Sequence, residues 1–138
     1  MFRVGFDVDD TLIDTRSRLR PFAREVFADL SSAGIELFVW SGVGLRWEIV
    51  HVHNLSAFIV GCYRKPISRH RERLLQHGVP FVPDFVVDDD PEVVAAFGGF
   101  VVPPPDFSFE GDAHLLRAKS AALRAYTDHC QRRGRNDD

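Results

Sequence analysis

The sequence has few of the residues that build disulfide-stabilised or membrane-spanning folds. Only two cysteines, Cys62 and Cys130, occur in 138 residues, so neither a disulfide framework nor a four-cysteine metal site is available. No apolar run approaches the roughly 18 residues that a membrane-spanning helix needs. Asp7 interrupts the first apolar stretch, so a signal peptide is not expected. We therefore expect a cytoplasmic protein, in a reducing compartment, with no membrane partner.

Lysine is also scarce, and the charged residues are unevenly distributed. Arginine accounts for 15 of the 17 basic residues, and the net charge of −3 gives no reason to expect a broad nucleic-acid surface. Eight of the 14 aspartates fall in two short windows of the chain: Asp7, Asp9, Asp10 and Asp14, then Asp84, Asp88, Asp89 and Asp90. Such clustering of one charge needs a physical explanation.

Short apolar segments alternate with segments of helical periodicity along the whole chain. The pattern predicts strands at 2–6, 35–40, 57–60, 85–87 and 100–102. It predicts helices at about 21–34, 45–53, 68–77, 91–97 and 112–131, followed by a frayed tail over 132–138. Strands that are apolar on both faces are typical of a parallel sheet covered by helices. We expect one α/β domain, residues 1–131, with a three-layer Rossmann-like sheet of about five parallel strands.

Polar side chains follow four of the predicted strands: Asp7 with Asp9, Ser41, Lys65, and Asp88 with Asp89. The carboxyl ends of parallel strands form the ligand-binding edge of such a sheet, so these residues should meet there. Clustered carboxylates repel one another unless a cation lies among them, and Mg²⁺ suits carboxylate and phosphate oxygens. A lysine, a hydroxyl and the Gly42 N–H can bind a phosphoryl group. In an extended chain Asp7 and Asp9 would point the same way, so one can attack phosphorus while the other handles the proton.

These residues carry a resemblance to a known family. The stretch Phe6-Asp7-Val8-Asp9-Asp10-Thr11-Leu12 resembles the DxDxT signature of the haloacid dehalogenase superfamily of phosphohydrolases. Ser41, Lys65 and Val86-Val87-Asp88-Asp89 are similar to the second, third and fourth motifs of that family, in the family's order. Arg64-Lys65-Pro66 is similar to the form found in histidinol-phosphate phosphatases and in the phosphatase domain of polynucleotide kinases.

The resemblance implies a role for each matching residue. Asp7 would be the nucleophile that becomes an aspartyl phosphate, and Asp9 would protonate the leaving group and later activate water. Ser41 and Lys65 would hold the phosphoryl group. Asp89, with Asp88, would complete a Mg²⁺ site that also uses Asp7 and the backbone carbonyl of Asp9. A third aspartate follows, Asp90, and the sequence leaves open which of the three contacts metal.

Turn formation and helix capping offer a plainer interpretation of some aspartates. We favour that interpretation for Asp10, Asp14 and Asp90, because turns favour aspartate.

The motif spacing leaves no room for the cap domain that many members of the family carry. Only 12 residues separate Asp9 from Phe22, and the segment from Ser41 to Lys65 already holds a helix and a strand. An open site must exclude water with the substrate or with a neighbouring subunit. We therefore expect a bulky phosphorylated substrate, such as a polynucleotide end or a phosphoprotein, or else a cap supplied by a second copy in a homo-oligomer.

Two other classes of function compete with a phosphatase. A receiver-like phosphoacceptor module also combines clustered aspartates, a hydroxyl and a Lys-Pro pair on a parallel sheet, but there the Lys-Pro pair comes last, whereas Lys65-Pro66 precedes the second acidic cluster. The third hypothesis is a metal-binding interaction domain without catalysis. Transfer of the phosphoryl group to an acceptor other than water also stays open.

Overall fold

The computed structural model describes residues 1–136 and contains one five-stranded parallel sheet. The strands are β1 (Arg3–Asp7), β2 (Glu36–Ser41), β3 (Ile59–Arg64), β4 (Phe85–Asp88) and β5 (Gly99–Val101), in the spatial order β3-β2-β1-β4-β5. The helices are α1 (Ala23–Ser32), α2 (Trp47–Val52), α3 (Pro91–Phe97) and α4 (His114–Asn136). The predicted three-layer Rossmann-like α/β fold is confirmed.

Alternation along β2 shows how the sheet separates two cores. Leu37 and Val39 point to one face, where they join the buried side chains of α1, α2 and α4. Phe38 and Trp40 point to the other face, where they join residues of α3 and of the segment 66–84. Because both faces are covered, the central strands can be apolar throughout.

Gly5 is the residue that lets Phe38 lie flat across β1. A Cβ atom at position 5 would lie 2.4 Å from Cζ of the Phe38 ring. That ring also makes edge-to-face contacts with Trp40, Tyr63 and Phe81, so a displaced Phe38 would disturb the whole aromatic layer.

The predicted helix at 68–77 is wrong. This segment forms bends and turns that end in a single 3₁₀ turn, Leu75–His77. Leu74 is its one buried residue, so there is no apolar stripe that a helix would bury. Ser68 does not cap a helix, because its hydroxyl accepts a hydrogen bond from the Arg73 guanidinium. Arg69 has a φ of 46°, which a helix does not allow.

The third strand and the second helix differ from their predicted bounds. The strand lies at Ile59–Arg64 rather than 57–60, because Ser56–Phe58 forms a 3₁₀ turn. Lys65 therefore follows its strand directly instead of lying a few residues beyond it. The helix begins at Trp47 rather than Leu45, which leaves Arg46 in the loop after β2.

The last helix extends further than expected. A frayed tail was predicted from Arg132, but α4 continues to Asn136, while residues 137 and 138 lie outside the described residues. Arginine is a good helix former, and Arg133 and Arg135 in the last turn are favourable at the negative end of the helix dipole.

A buried ion pair ties the chain after β1 to the beginning of α4. Arg20 Nε donates to Asp112 Oδ2 at 2.9 Å, and both side chains are almost completely buried. The remaining Arg20 donors reach the carbonyls of Thr11 and Pro103, at 3.3 and 2.8 Å. One guanidinium thereby anchors the loop that follows Asp7, the proline-rich loop and α4.

The connections near the sheet edge are short, as predicted, and hold no cap domain. The chain turns tightly after β1, where the N–H groups of Leu12 and Ile13 both donate to the Val8 carbonyl, and a narrow bridge pairs Ile13 with Leu19. The β2–β3 connection contains only α2 and a 3₁₀ turn. Within residues 1–136, no helix is both long and apolar enough to cross a membrane.

Candidate active site

The strand order places a topological switch point between β1 and β4. The chain proceeds outward through β2 and β3 on one side of β1, and through β4 and β5 on the other. Ligands of open α/β sheets bind at the carboxyl ends of the strands at such a point. Asp7 is the last residue of β1 and Asp88 is the last residue of β4, so both buried aspartates end at the switch point.

Lys65 joins these two aspartates. Its Nζ donates to Asp7 Oδ1 at 3.0 Å and to Asp88 Oδ2 at 2.9 Å, and its side chain is only 12% exposed. Thr11 adds a second donor to Asp7, with Oγ1 3.2 Å from Oδ2. Residues separated by up to 81 positions in the chain thus form one connected polar network at the sheet edge.

Burial of this network shifts the pKa values of its members. Burial, together with the nearby Asp88 charge, raises the pKa of Asp7 from 3.8 to about 8, although Lys65 opposes the shift. Burial also raises the pKa of Asp88 against the opposing effect of Lys65. For Lys65, burial lowers the pKa, but the Asp7 and Asp88 carboxylates outweigh it and raise the value. Burial therefore outweighs the effect of the lysine, and it raises the pKa of both aspartates.

A carboxylate oxygen from each of Asp7, Asp88 and Asp89 lies within 4.8 Å of the others. Hard divalent cations take carboxylate oxygens of this kind. A cation there would favour the ionised form of Asp7 against its burial and against the Asp88 charge, which together raise its pKa. These three residues are therefore the ones that could hold a divalent cation. Asp90 is the N-cap residue of α3, because its Oδ1 accepts a hydrogen bond from Glu92 N at 2.9 Å.

Asp9 lies outside this carboxylate cluster. Strand β1 ends at Asp7, so Asp9 belongs to the following turn rather than to a continuous extended strand. Its side chain is 53% exposed, and Oδ2 accepts from Arg46 Nη1 at 2.6 Å. The Asp9 carboxylate therefore faces solvent at the entrance of the site, next to an arginine.

Ser41 and Gly42 occupy the end of β2, as expected. Ser41 is buried, and its Oγ accepts from Val43 N at 3.3 Å and from Arg46 Nη1 at 3.5 Å. Gly42 is exposed, and a Cβ atom there would lie 3.0 Å from the Ile67 side chain. The loop after β2 therefore packs tightly against the loop after β3, which carries Lys65.

Arg46 and Thr11 also belong to the site, although no role was predicted for either; Thr11 is the threonine of the DxDxT signature. Thr11 is signalled by its spacing, because a residue four positions after Asp7 returns to the strand end once the chain turns. Arg46 has no comparable signal: it was predicted to lie in a helix and instead lies in the loop that precedes α2. Asp14, in contrast, acts as a turn former, because its Oδ1 accepts from the N–H groups of Arg16 and Arg18.

Comparison of the chain with protein-family models and with curated protein sequences finds no match.

Proposed function

We propose that this protein is a Mg²⁺-dependent phosphatase, resembling the haloacid dehalogenase superfamily, that hydrolyses a phosphomonoester through an aspartyl phosphate on Asp7. One observation carries the proposal: Asp7, Asp88 and Asp89 converge at the β1/β4 switch point, where Lys65 bridges Asp7 and Asp88. This arrangement puts an anionic nucleophile, a cation site and a phosphate-binding lysine within one network.

The first half of the reaction transfers the phosphoryl group to the protein. An Asp7 carboxylate oxygen attacks phosphorus, the bond from phosphorus to the leaving oxygen breaks, and that oxygen takes the proton of the Asp9 carboxyl group. Asp9 suits the donor role because it is exposed at the entrance, where a leaving group would pass. In the second half Asp9 takes a proton from water, the water oxygen attacks phosphorus, and the bond to Asp7 breaks to release inorganic phosphate.

Asp7 must be ionised to act as a nucleophile, and its own surroundings disfavour that. With its pKa raised to about 8, the carboxyl group is mostly protonated at neutral pH when no cation is present. Asp7, Asp88, Asp89 and the Asp9 carbonyl would hold the Mg²⁺, which supplies positive charge for the carboxylates and for the phosphoryl oxygens.

The chain's own donors hold the phosphoryl group. Lys65 lies between Asp7 and Asp88, so its ammonium can reach an oxygen on phosphorus during attack by Asp7. The Ser41 hydroxyl and the exposed Gly42 N–H line the neighbouring strand end. These groups stabilise charge that spreads over the oxygens in the transition state.

The open site favours a bulky substrate. Val43 and Ile67, in the loops after β2 and β3, are each 75% exposed, so no part of the described chain covers this side of the site. A polynucleotide end or a phosphoprotein would exclude water with its own bulk, and a second copy of the chain would do so as a cap. We propose that a bulky substrate excludes the water. The alternative to be distinguished from it is a cap supplied by a second copy of the chain.

The sheet order favours a phosphatase over a receiver-like module. Receiver domains have the order 2-1-3-4-5, whereas this sheet has the order 3-2-1-4-5, and its buried aspartate Asp7 ends the first strand. Hydrolysis and transfer to another acceptor share the first half-reaction, so only the products separate them.

Turnover of an aryl phosphate tests the proposal. The wild type should release phosphate with Mg²⁺ and not with EDTA. Asp7→Asn should remove turnover, because an amide is a poor nucleophile, while Asp128→Asn, an exposed aspartate on α4, serves as the matched control. Near wild-type activity in folded Asp7→Asn protein would refute the assignment. Mg²⁺ binding by a wild type that turns over nothing would favour the interaction domain without catalysis.

A further inference from the structure

Arg46 is a charged residue at the entrance of the site to which no motif gives a role. Its side chain is only 15% exposed, although it lies in the loop between β2 and α2. Nη1 donates to Asp9 Oδ2 at 2.6 Å and lies 3.5 Å from Ser41 Oγ. Nε donates to Glu48 Oε1 at 3.2 Å, which fixes the plane of the guanidinium.

These contacts orient the guanidinium. It carries five N–H groups, and the hydrogen bonds to Glu48, Asp9 and Ser41 engage Nε and Nη1. Arginine binds phosphate oxygens with paired donors of fixed geometry, so a guanidinium oriented in this way is suited to a phosphoryl group.

The charge of the site also favours such a role. Asp7, Asp88 and Asp89 are accompanied by one lysine, which is shared by two of them. With a divalent cation bound and Asp9 carrying the proton that it gives to the leaving group, these charges cancel. A phosphomonoester dianion would add negative charge, and Arg46, although it also pairs with Glu48, is a cation placed to offset part of it.

We infer that Arg46 is a phosphoryl-binding residue, whose guanidinium binds a non-bridging oxygen of the substrate. This inference rests on the proposed phosphatase activity. Its position follows from its two contacts: Ser41 lies beside the phosphoryl group and Asp9 beside the leaving oxygen, so a guanidinium that touches both lies next to the oxygens between them.

The test measures binding of inorganic phosphate by calorimetry, with Mg²⁺ present. Arg46→Gln should bind phosphate about 10- to 100-fold more weakly, the effect expected on losing a hydrogen bond between charged groups. The KM for an aryl phosphate should rise by a similar factor with little change in kcat, because the contact is made before and during the reaction. Arg46→Lys keeps the charge but loses the paired donors of the guanidinium. Its phosphate affinity should lie between those of the wild type and Arg46→Gln.

Arg24→Gln is the matched control. It changes the net charge from −3 by the same one unit, but Arg24 lies exposed on α1 and donates only to the Asn54 carbonyl. Its phosphate affinity should equal that of the wild type. A loss as large as that of Arg46→Gln would show a long-range charge effect and would overturn the inference.

An Asp9→Asn background separates direct binding from positioning of Asp9. Direct binding predicts that Arg46→Gln weakens phosphate binding by the same factor in both backgrounds. Loss of the effect in the Asp9→Asn protein would mean that Arg46 acts only through Asp9, and would overturn the inference.

The remaining outcomes are also decisive. If Arg46→Gln does not fold, as judged by circular dichroism, Arg46→Lys carries the test, and unchanged phosphate affinity in that variant refutes the inference. An active wild type with an unaffected Arg46→Gln variant refutes this inference alone. A wild type that neither binds phosphate nor turns over an aryl phosphate refutes the proposed function.

Discussion

The metal-free protein should lose stability as the pH rises, because of Asp7. Its pKa is 3.8 in an ordinary setting and about 8 in the folded protein, where burial disfavours the charged form. At a pH between these two pKa values, the folded state holds a proton on Asp7 that the unfolded state has released. Stability from this proton is therefore fully present below about pH 4 and is lost as the pH rises through about 8.

The magnitude follows from the same shift. One extra proton in the folded state changes the free energy of unfolding by about 1.4 kcal/mol for each pH unit, and the full window corresponds to about 6 kcal/mol. Relaxation and water entry reduce the cost of a buried charge to several kcal/mol, which narrows the pH window rather than the slope within it. Averaged over pH 5 to 8, we therefore expect a loss of about 1 kcal/mol for each pH unit. Asp88, whose pKa is also raised by burial, contributes with the same sign.

Urea denaturation in EDTA at pH 5, 6, 7 and 8 measures this slope. The wild type should lose stability with pH relative to Asp7→Asn, in which the group no longer titrates, while the exposed control Asp128→Asn should follow the wild type. Saturating Mg²⁺ should reduce or reverse the slope, because the cation binds the ionised carboxylates and competes with the proton.

Equal slopes in wild type and Asp7→Asn would refute the reasoning, because they would show that Asp7 titrates alike in the folded and unfolded chain. A slope that Mg²⁺ leaves unchanged would refute the cation site while leaving the buried proton in place.

Three further predictions follow from individual contacts. Asp89→Asn should weaken Mg²⁺ binding at least tenfold in a calorimetric titration without destabilising the metal-free protein, because it removes one ligand and one repulsive charge. Asp112→Asn should lower the free energy of unfolding by about 3–5 kcal/mol in urea, since it leaves the buried Arg20 charge unpaired; a loss below about 1 kcal/mol would contradict this. Gly5→Ala should cost about 1–3 kcal/mol, seen as a lower melting temperature, because the added methyl group overlaps the Phe38 ring; an unchanged melting temperature would show that the aromatic layer adapts freely.

The fold was predictable because its central strands are buried on both faces. β1, β2 and β4 carry continuous apolar runs, and each ends at a polar residue. The edge strand β3 was harder to place, since only Gly61 and Cys62 of its six residues are buried and it ends in Tyr63 and Arg64. Its burial pattern therefore lacks the uniform apolar signal of the centre.

The segment 66–84 shows where periodicity fails. It has helix-forming residues and a glycine that ends the predicted helix, but its contribution to the core consists of single side chains such as Leu74 and Val79. Helical structure in proteins depends mostly on burying an apolar face, and isolated anchors do not supply one. The segment instead folds as irregular turns held by contacts such as His70 Nδ1 with the Pro66 carbonyl.

The candidate site was predictable only in part, because strand ends follow from the sequence pattern but side-chain packing and loop paths do not. A parallel sheet brings strand ends together, so Asp7, Ser41, Lys65 and Asp88 were expected at one edge. The bridge from Lys65 to both aspartates depends on side-chain packing that no local pattern encodes. Arg46 depends on the path of an irregular loop, which the chain sets through its contacts with Asp9 and Glu48.

The burial of Asp7 destabilises the fold and also suits the site to the proposed chemistry. Asp7 is 5% exposed at the end of a central strand, where an ionised carboxylate is costly unless a cation accompanies it. Lys65 compensates for part of that cost but shares its charge with Asp88. The raised pKa of Asp7 indicates that, without a cation, a proton compensates for part of the remaining cost. A divalent cation at Asp7, Asp88 and Asp89 would displace that proton, so the same event that stabilises the folded chain would also produce the nucleophile.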